Sequence, residues 1–172
     1  GVYMYKATRL LIDERLRHSK YNLQQVSVKS VPIGIANKCH HNTFEFQKKD
    51  VLKTGCTRSV PVSGWLVCKY NKIKNETEII QHWWNIDSIT KQHFDTTPIT
   101  DGTSHSEYEY VTDFEVSIWG NENYEEIDSN VCNSICLRNG KWYLVKEGSN
   151  GKLIYKLTDT LTVQNLFAEL SD

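Results

Sequence analysis

Residues 60–70, 78–86 and 92–96 form three successive runs rich in β-branched and aromatic side chains, and no other feature restricts the architecture as much. The first centres on Gly64-Trp65-Leu66-Val67-Cys68 and the second contains Ile79-Ile80-Gln81-His82-Trp83-Trp84. Such runs read as strands, because branched and aromatic side chains fit a pleated, half-buried surface. The connections at 69–75 and 87–91 are short, so the three strands form an antiparallel meander that Pro98 ends.

Helices flank this meander in the reading. Over residues 7–19, Leu10, Leu11, Ile12 and Leu16 give an apolar stripe, with Asp13, Glu14, Arg15 and Arg17 facing solvent. Residues 23–31 alternate as a short strand or arm, and Pro32 and Gly34 break the chain after it. A second helix is expected over 39–49, started by Asn37 as cap and docked through Phe44 and Phe46. Residues 48–59 read as a polar loop containing Gly55, and 108–118 as a strand stopped by Trp119-Gly120. The acidic run 122–128 reads as a solvated loop. Arg138-Asn139-Gly140-Lys141 is a hairpin turn between 134–137 and 142–145. A short amphipathic helix over 161–170 is capped by Asp159 or Thr160. The expected fold class is α+β: a single domain over residues 1–172, its antiparallel sheet packed against the helix that carries Cys39.

Composition narrows the function classes. The net charge is −1 and the pI about 6.7, which argues against a general nucleic-acid binder. No apolar run approaches the roughly 18 residues of a membrane span, and the first residues do not read as a signal peptide. The five cysteines are scattered and odd in number, which suits free thiols in a reducing compartment such as the cytoplasm. The sequon Asn75-Glu76-Thr77 matters only for a secreted chain.

Within this frame Cys39, His82 and Asp95 stand out. A thiol, an imidazole and a carboxylate are the groups that make a nucleophile, activate it and orient its base. Cys39 sits where the chain leaving Pro32 and Gly34 enters a helix, and a helix N-terminus favours a thiolate. His82 lies on one strand and Asp95 at the end of the next, so a hairpin return can bring the carboxylate to the ring.

The order of the three, with His82-Trp83 on one strand and Asp95-Thr96-Thr97-Pro98 ending the next, resembles the transglutaminase-like branch of the papain-like cysteine enzymes. The likeness covers residues 33–98, with a Cys-to-His spacing of 82 − 39 = 43. It departs from the family in the His40-His41 pair beside the cysteine and in an Asp-Thr-Thr-Pro turn where Asp-Pro-Thr is usual. The resemblance implies a thioester mechanism on a peptide, amide or amine substrate, with Cys39 as nucleophile, His82 as base then acid, and Asp95 as orienter. It also implies an oxyanion hole from the Cys39 backbone N–H and one side-chain donor, for which Asn37, Asn42 and the Trp65 indole are all open. Trp83 and Trp84 point to opposite strand faces; one belongs to the core, and Trp84 is the candidate for the substrate side. His41 and His93 are candidates to support the triad from behind.

Two other readings stand beside the enzyme. One is a binding module on the same fold that turns nothing over, in keeping with an Asn-, Lys- and Ile-rich composition of the kind a phage or viral accessory protein carries. The other is a zinc site drawn from Cys39, His40, His41, His82, His93 and the Cys132/Cys136 pair, although no Cys-x2-Cys or His-Glu-x-x-His motif supports it. The expectation is therefore no metal and no cofactor.

Overall fold

The computed structural model describes residues 3–118 and 134–166. Trp119-Gly120, the acidic run 122–128, Cys132 and the end of the last expected helix lie outside the described residues. Helix α1 (Lys6–Leu16) leads into two short strands, β1 (Gln25–Val26) and β2 (Val28–Ser30), and then helix α2 (Cys39–Thr54). The meander follows as β3 (Ser59–Val67), β4 (Thr77–Asp87) and β5 (His93–Asp95). After it come β6 (Glu109–Thr112), β7 (Ser134–Arg138), β8 (Lys141–Glu147), β9 (Leu153–Thr158) and α3 (Val163–Leu166).

All nine strands join one sheet in the order β1-β6-β3-β4-β7-β8-β9, with β5 also pairing β4 and β2 lying beside β5. Every pairing is antiparallel except β2 with β5. The result is a single-domain α+β fold dominated by an antiparallel sheet. Among the described residues no helix is long and apolar enough to cross a membrane.

Strand alternation sends neighbouring residues to opposite faces, and each face has its own core. Ala7 and Leu11 of α1 pack with Trp65, Val67, Ile79, Val111 and Ile135 on one face. Val62, Leu66, Trp84 and Tyr110, with Ile80 and Ile86 against them, fill the other. Each such side chain withdrawn from water contributes about 1.5–3 kcal/mol.

Several local expectations need correction. Arg15 does not face solvent: it is fully buried, its Nε donating to Asp113 Oδ2 at 2.8 Å and its Nη1 to the Leu161 carbonyl at 2.7 Å. Helix α2 does not stop near residue 49 but runs to Thr54, where Gly55 at φ 75° forms the left-handed C-cap. The strand expected over 108–118 ends at Thr112, because the Asp113 carboxylate accepts from the Glu115 N–H and the chain turns into a 3-10 segment, Phe114–Ile118. At α3 the first turn is closed by Thr162, whose Oγ1 accepts from the Asn165 N–H, and not by Asp159 or Thr160. Strand β9 was not anticipated. The hairpin at Asn139-Gly140 forms with positive φ at both residues, as a two-residue turn of the primed type requires.

Candidate active site

Cys39 is the first residue of α2, and the chain before it is built to deliver it there. Residues 31–38 leave β2 as a strap. Val31 N–H donates to the Asp95 carbonyl at 2.9 Å and Gly34 N–H to the Thr96 carbonyl at 2.8 Å. Asn42, one turn into α2, holds the strap from the other side. Its Oδ1 accepts from Ile35 N–H at 2.8 Å, and its Nδ2 donates to the Ile35 carbonyl at 2.7 Å and to Thr97 Oγ1 at 3.0 Å. Gly34 is required here, because a Cβ would overlap the Asn42 carboxamide. Asn42 thus joins the cysteine helix to the turn after Asp95. With both ends of its amide committed, it acts as a clamp and not as an oxyanion donor.

Asn37 does not cap α2. It is exposed and holds a left-handed φ of 62°, while Lys38 occupies the cap position without a side-chain hydrogen bond. Among the described residues the cap position thus leaves the first N–H groups of α2 without a side-chain cap from Lys38. Deeper in the helix, the fully buried Asn85 of β4 donates to the Thr43 carbonyl at 3.0 Å and to Ser59 Oγ at 2.9 Å, fixing α2 against the β3–β4 pair.

His82 sits at a break in strand pairing. On one side of β4, β7 pairs with residues 77–80 and β5 with 85–86. His82 lies in the interval between them. Its Nε2 is 2.7 Å from Asp95 Oδ2. Cys39 also acts on the ring, favouring its charged form. The same Asp95 Oδ2 accepts the Tyr110 hydroxyl at 2.6 Å, and Asp95 Oδ1 accepts the Thr97 N–H at 3.0 Å.

The electrostatics follow from this packing. Burial disfavours a charged His82, but Asp95 and then Cys39 outweigh it, so the imidazole holds its proton well above its usual range. Burial likewise pushes the Asp95 carboxyl up, yet His82 foremost, then Tyr110 and Thr97, bring it below its ordinary value. Burial and the adjacent carboxylate hold the Tyr110 phenol above its ordinary range, which keeps it a donor.

Aromatic groups wall this constellation. The Trp84 indole stacks on His82 at 6.2 Å between centroids and 24° between planes. Its Nε1 donates to His93 Nδ1 at 2.9 Å. Burial lowers the pKa of His93, in keeping with a neutral ring that accepts this bond. His93 therefore supports the triad at one remove, through Trp84. Trp84 itself is fully buried and forms the wall behind His82, not a surface for substrate. Gly64 lies opposite His82 across β3; a Cβ there would come within 2.8 Å of Trp84 Cη2 and overlap the Val111 carbonyl. Trp65, one residue on, belongs to the other face. Its indole N–H is spent on Asp113 Oδ2 at 3.0 Å, so it is a core anchor and no oxyanion donor.

His41 is exposed and is not brought against the triad; its charge bears on His40. His40 stacks near Phe44 at 4.4 Å and meets Trp83 edge-on at 4.9 Å. Burial, then His41, lowers its pKa to about 4, so it is neutral at physiological pH. Among the described residues no three or more His, Cys, Asp or Glu side chains are grouped to hold a metal ion, and Cys132 lies outside them. Sequence reasoning missed Tyr110, Thr97 and His105, whose ring packs on Tyr110 at 5.5 Å. Gly64, a glycine inside a strand, marks the close approach of the Trp84 ring and the Val111 carbonyl, and nothing in the sequence singled out Tyr110.

Comparison with known proteins gives no relative to reason from: no protein-family model matches the chain, and neither a curated protein nor a solved structure is significantly similar to it.

Proposed function

We propose that this chain is a cysteine-dependent acyl-transfer enzyme acting on an amide or peptide, with a transglutaminase-like arrangement of Cys39, His82 and Asp95. The observation that carries the proposal is the His82 ring, held through Nε2 by Asp95 and acted on by Cys39, the first residue of α2, in a way that favours its charged form.

In the reaction the Cys39 sulfur attacks the carbonyl carbon, forming a C–S bond and an oxyanion. The Cys39 backbone N–H and the other first-turn amides of α2 are placed to stabilise that oxyanion, helped by the positive end of the helix dipole. As the tetrahedral adduct collapses, the C–N bond breaks and His82 delivers its proton to the leaving amine. Water, or an amine acceptor, then attacks the thioester carbonyl and returns a proton to His82. The C–S bond breaks, giving acid or new amide and free thiolate. Asp95 holds the ring orientation throughout, and Tyr110 and Thr97 hold Asp95. The four described cysteines are all free, which supports a reducing compartment such as the cytoplasm.

Alkylation with iodoacetamide, read residue by residue by mass spectrometry, tests this. Cys39 should react about tenfold or more faster than the exposed Cys56, as activated thiols do. Asp95→Asn should remove most of that advantage. A Cys39 that reacts no faster than Cys56 overturns the proposal.

A further inference from the structure

Apolar side chains lie before Cys39 in the strap and after it in the first turns of α2, and this bears on what it acylates. On the helical wheel Asn42 lies to one side of Cys39, and His40 and Phe44 lie to the other. On the Asn42 side stands the clamped strap, which leaves Ile33 69% and Ile35 53% exposed. Both isoleucines thus offer apolar surface within six residues of Cys39. On the other side stand His40, Phe44 and Trp83, mutually in contact at 4.4 to 5.5 Å. His40 follows Cys39 in the chain and meets Trp83, which leaves β4 on the face opposite His82. Phe44 remains 39% exposed. His40, the ionisable member of this trio, is neutral at physiological pH, so the trio offers no charge to a polar substrate.

We infer that the exposed isoleucines of the strap and the His40–Phe44–Trp83 trio flank a cleft that selects an apolar side chain on the acyl portion of the substrate. This inference rests on the acyl-transfer reading and adds the substrate class to it. The acyl carbon would sit at Cys39 with its apolar substituent laid against one or both flanks. Acidic and strongly hydrophilic acyl groups would lose hydration against these apolar side chains, which offer them no charge.

The test needs no known turnover substrate. The intact chain is alkylated with iodoacetamide and with haloacetamides carrying an isobutyl, a benzyl or a carboxylate substituent on nitrogen. For each reagent the rate at Cys39 is divided by the rate at Cys56 in the same molecule, which cancels intrinsic reactivity. The isobutyl and benzyl reagents should raise this ratio about tenfold over the carboxylate reagent, the gain that partial burial of a side chain of this size supplies. The double variant Ile33→Ser/Ile35→Ser, or Phe44→Ser, should reduce that preference by at least half. Ile73→Ser, at a position 98% exposed in the β3–β4 connection, should leave it intact. A fast Cys39 with equal ratios for all reagents overturns the apolar cleft and leaves the acyl-transfer reading standing. A Cys39 slow toward every reagent overturns both.

Discussion

The sheet carries a buried charged pair on each face, and the two are built to opposite ends. Arg15 and Asp113 meet with both side chains fully buried. Every group around them is committed: Trp65 and Glu115 N–H donate to the same carboxylate, and the Leu161 carbonyl accepts from Arg15. That pair joins α1, β3, the chain after β6 and the chain before α3 into one body. His82 and Asp95 are nearly as buried. There the carboxylate is saturated by three donors, while the cation keeps one face turned to a sulfur. One pair is closed at both ends, and the other is closed at the acid and open at the ring. On the proposed acyl-transfer reading, the contrast separates an ion pair that holds a fold from one that moves a proton.

Substitutions should divide along that line. The largest effect is expected from Asp95→Asn, which leaves the ring without its anionic orienter and should lower kcat/KM by about 10³–10⁴, or about 4–5.5 kcal/mol. Chemical denaturation of the same variant should show a much smaller loss. Arg15→Met reverses the pattern. It strands the Asp113 charge and should lower unfolding free energy by about 3–5 kcal/mol, with kcat per folded molecule little changed. Should Arg15→Met instead abolish activity in fully folded protein, the two pairs are not separate devices. Tyr110→Phe removes one of three donors to Asp95 and should cost about 1 kcal/mol of stability, with a several-fold drop in kcat and a smaller change in KM.

The smallest effect is in pH dependence, and its sign is fixed. His82 has its folded pKa raised above the ordinary 6.5, so its contribution to stability is complete below that value and is lost as pH rises through the folded pKa, about 10. Asp95 has its pKa lowered from 3.8, so its contribution is present above that value and is lost as pH falls. The difference in Tm between the wild type and His82→Gln should therefore be widest between these ordinary values and narrow toward pH 10. Cys39→Ala removes one of the groups that favour the charged ring. The His82 pKa, followed by NMR, should then fall while Asp95 still supports it. An unchanged value would mean the sulfur plays no part in the coupling.

What was legible in the sequence is what depends on short-range periodicity. The β3–β4–β5 meander, the Asn139-Gly140 hairpin and the hairpin return of Asp95 to His82 follow from a period of two and from turn chemistry. Arg15 was misread because a guanidinium is placed outside by default, and only Asp113, 98 residues away, makes its burial tolerable. Trp65 and Trp84 differ from the expectation because an indole looks the same in sequence whether its N–H meets a substrate, the Asp113 carboxylate or the His93 ring. Asn42 was singled out for its amide, but its partners, Ile35 and Thr97, lie on segments whose meeting only the fold decides. Gly55 suggested a loop where it was the stop signal of a helix.

The parallel pairing of β2 with β5 sets Val28 beside His93 and Ser30 beside Asp95, a closure across 93 − 28 = 65 residues. Tyr110 must then dock from β6 before the acid has all its donors. Such long-range closures form late, because chain entropy must be lost before the contacts repay it. A ribosome-bound or partly folded chain would thus carry an ordinary, sluggish sulfhydryl. Its chemical awakening would report that the distant segments have found one another, and a reactive side chain would be kept harmless until the scaffold is complete.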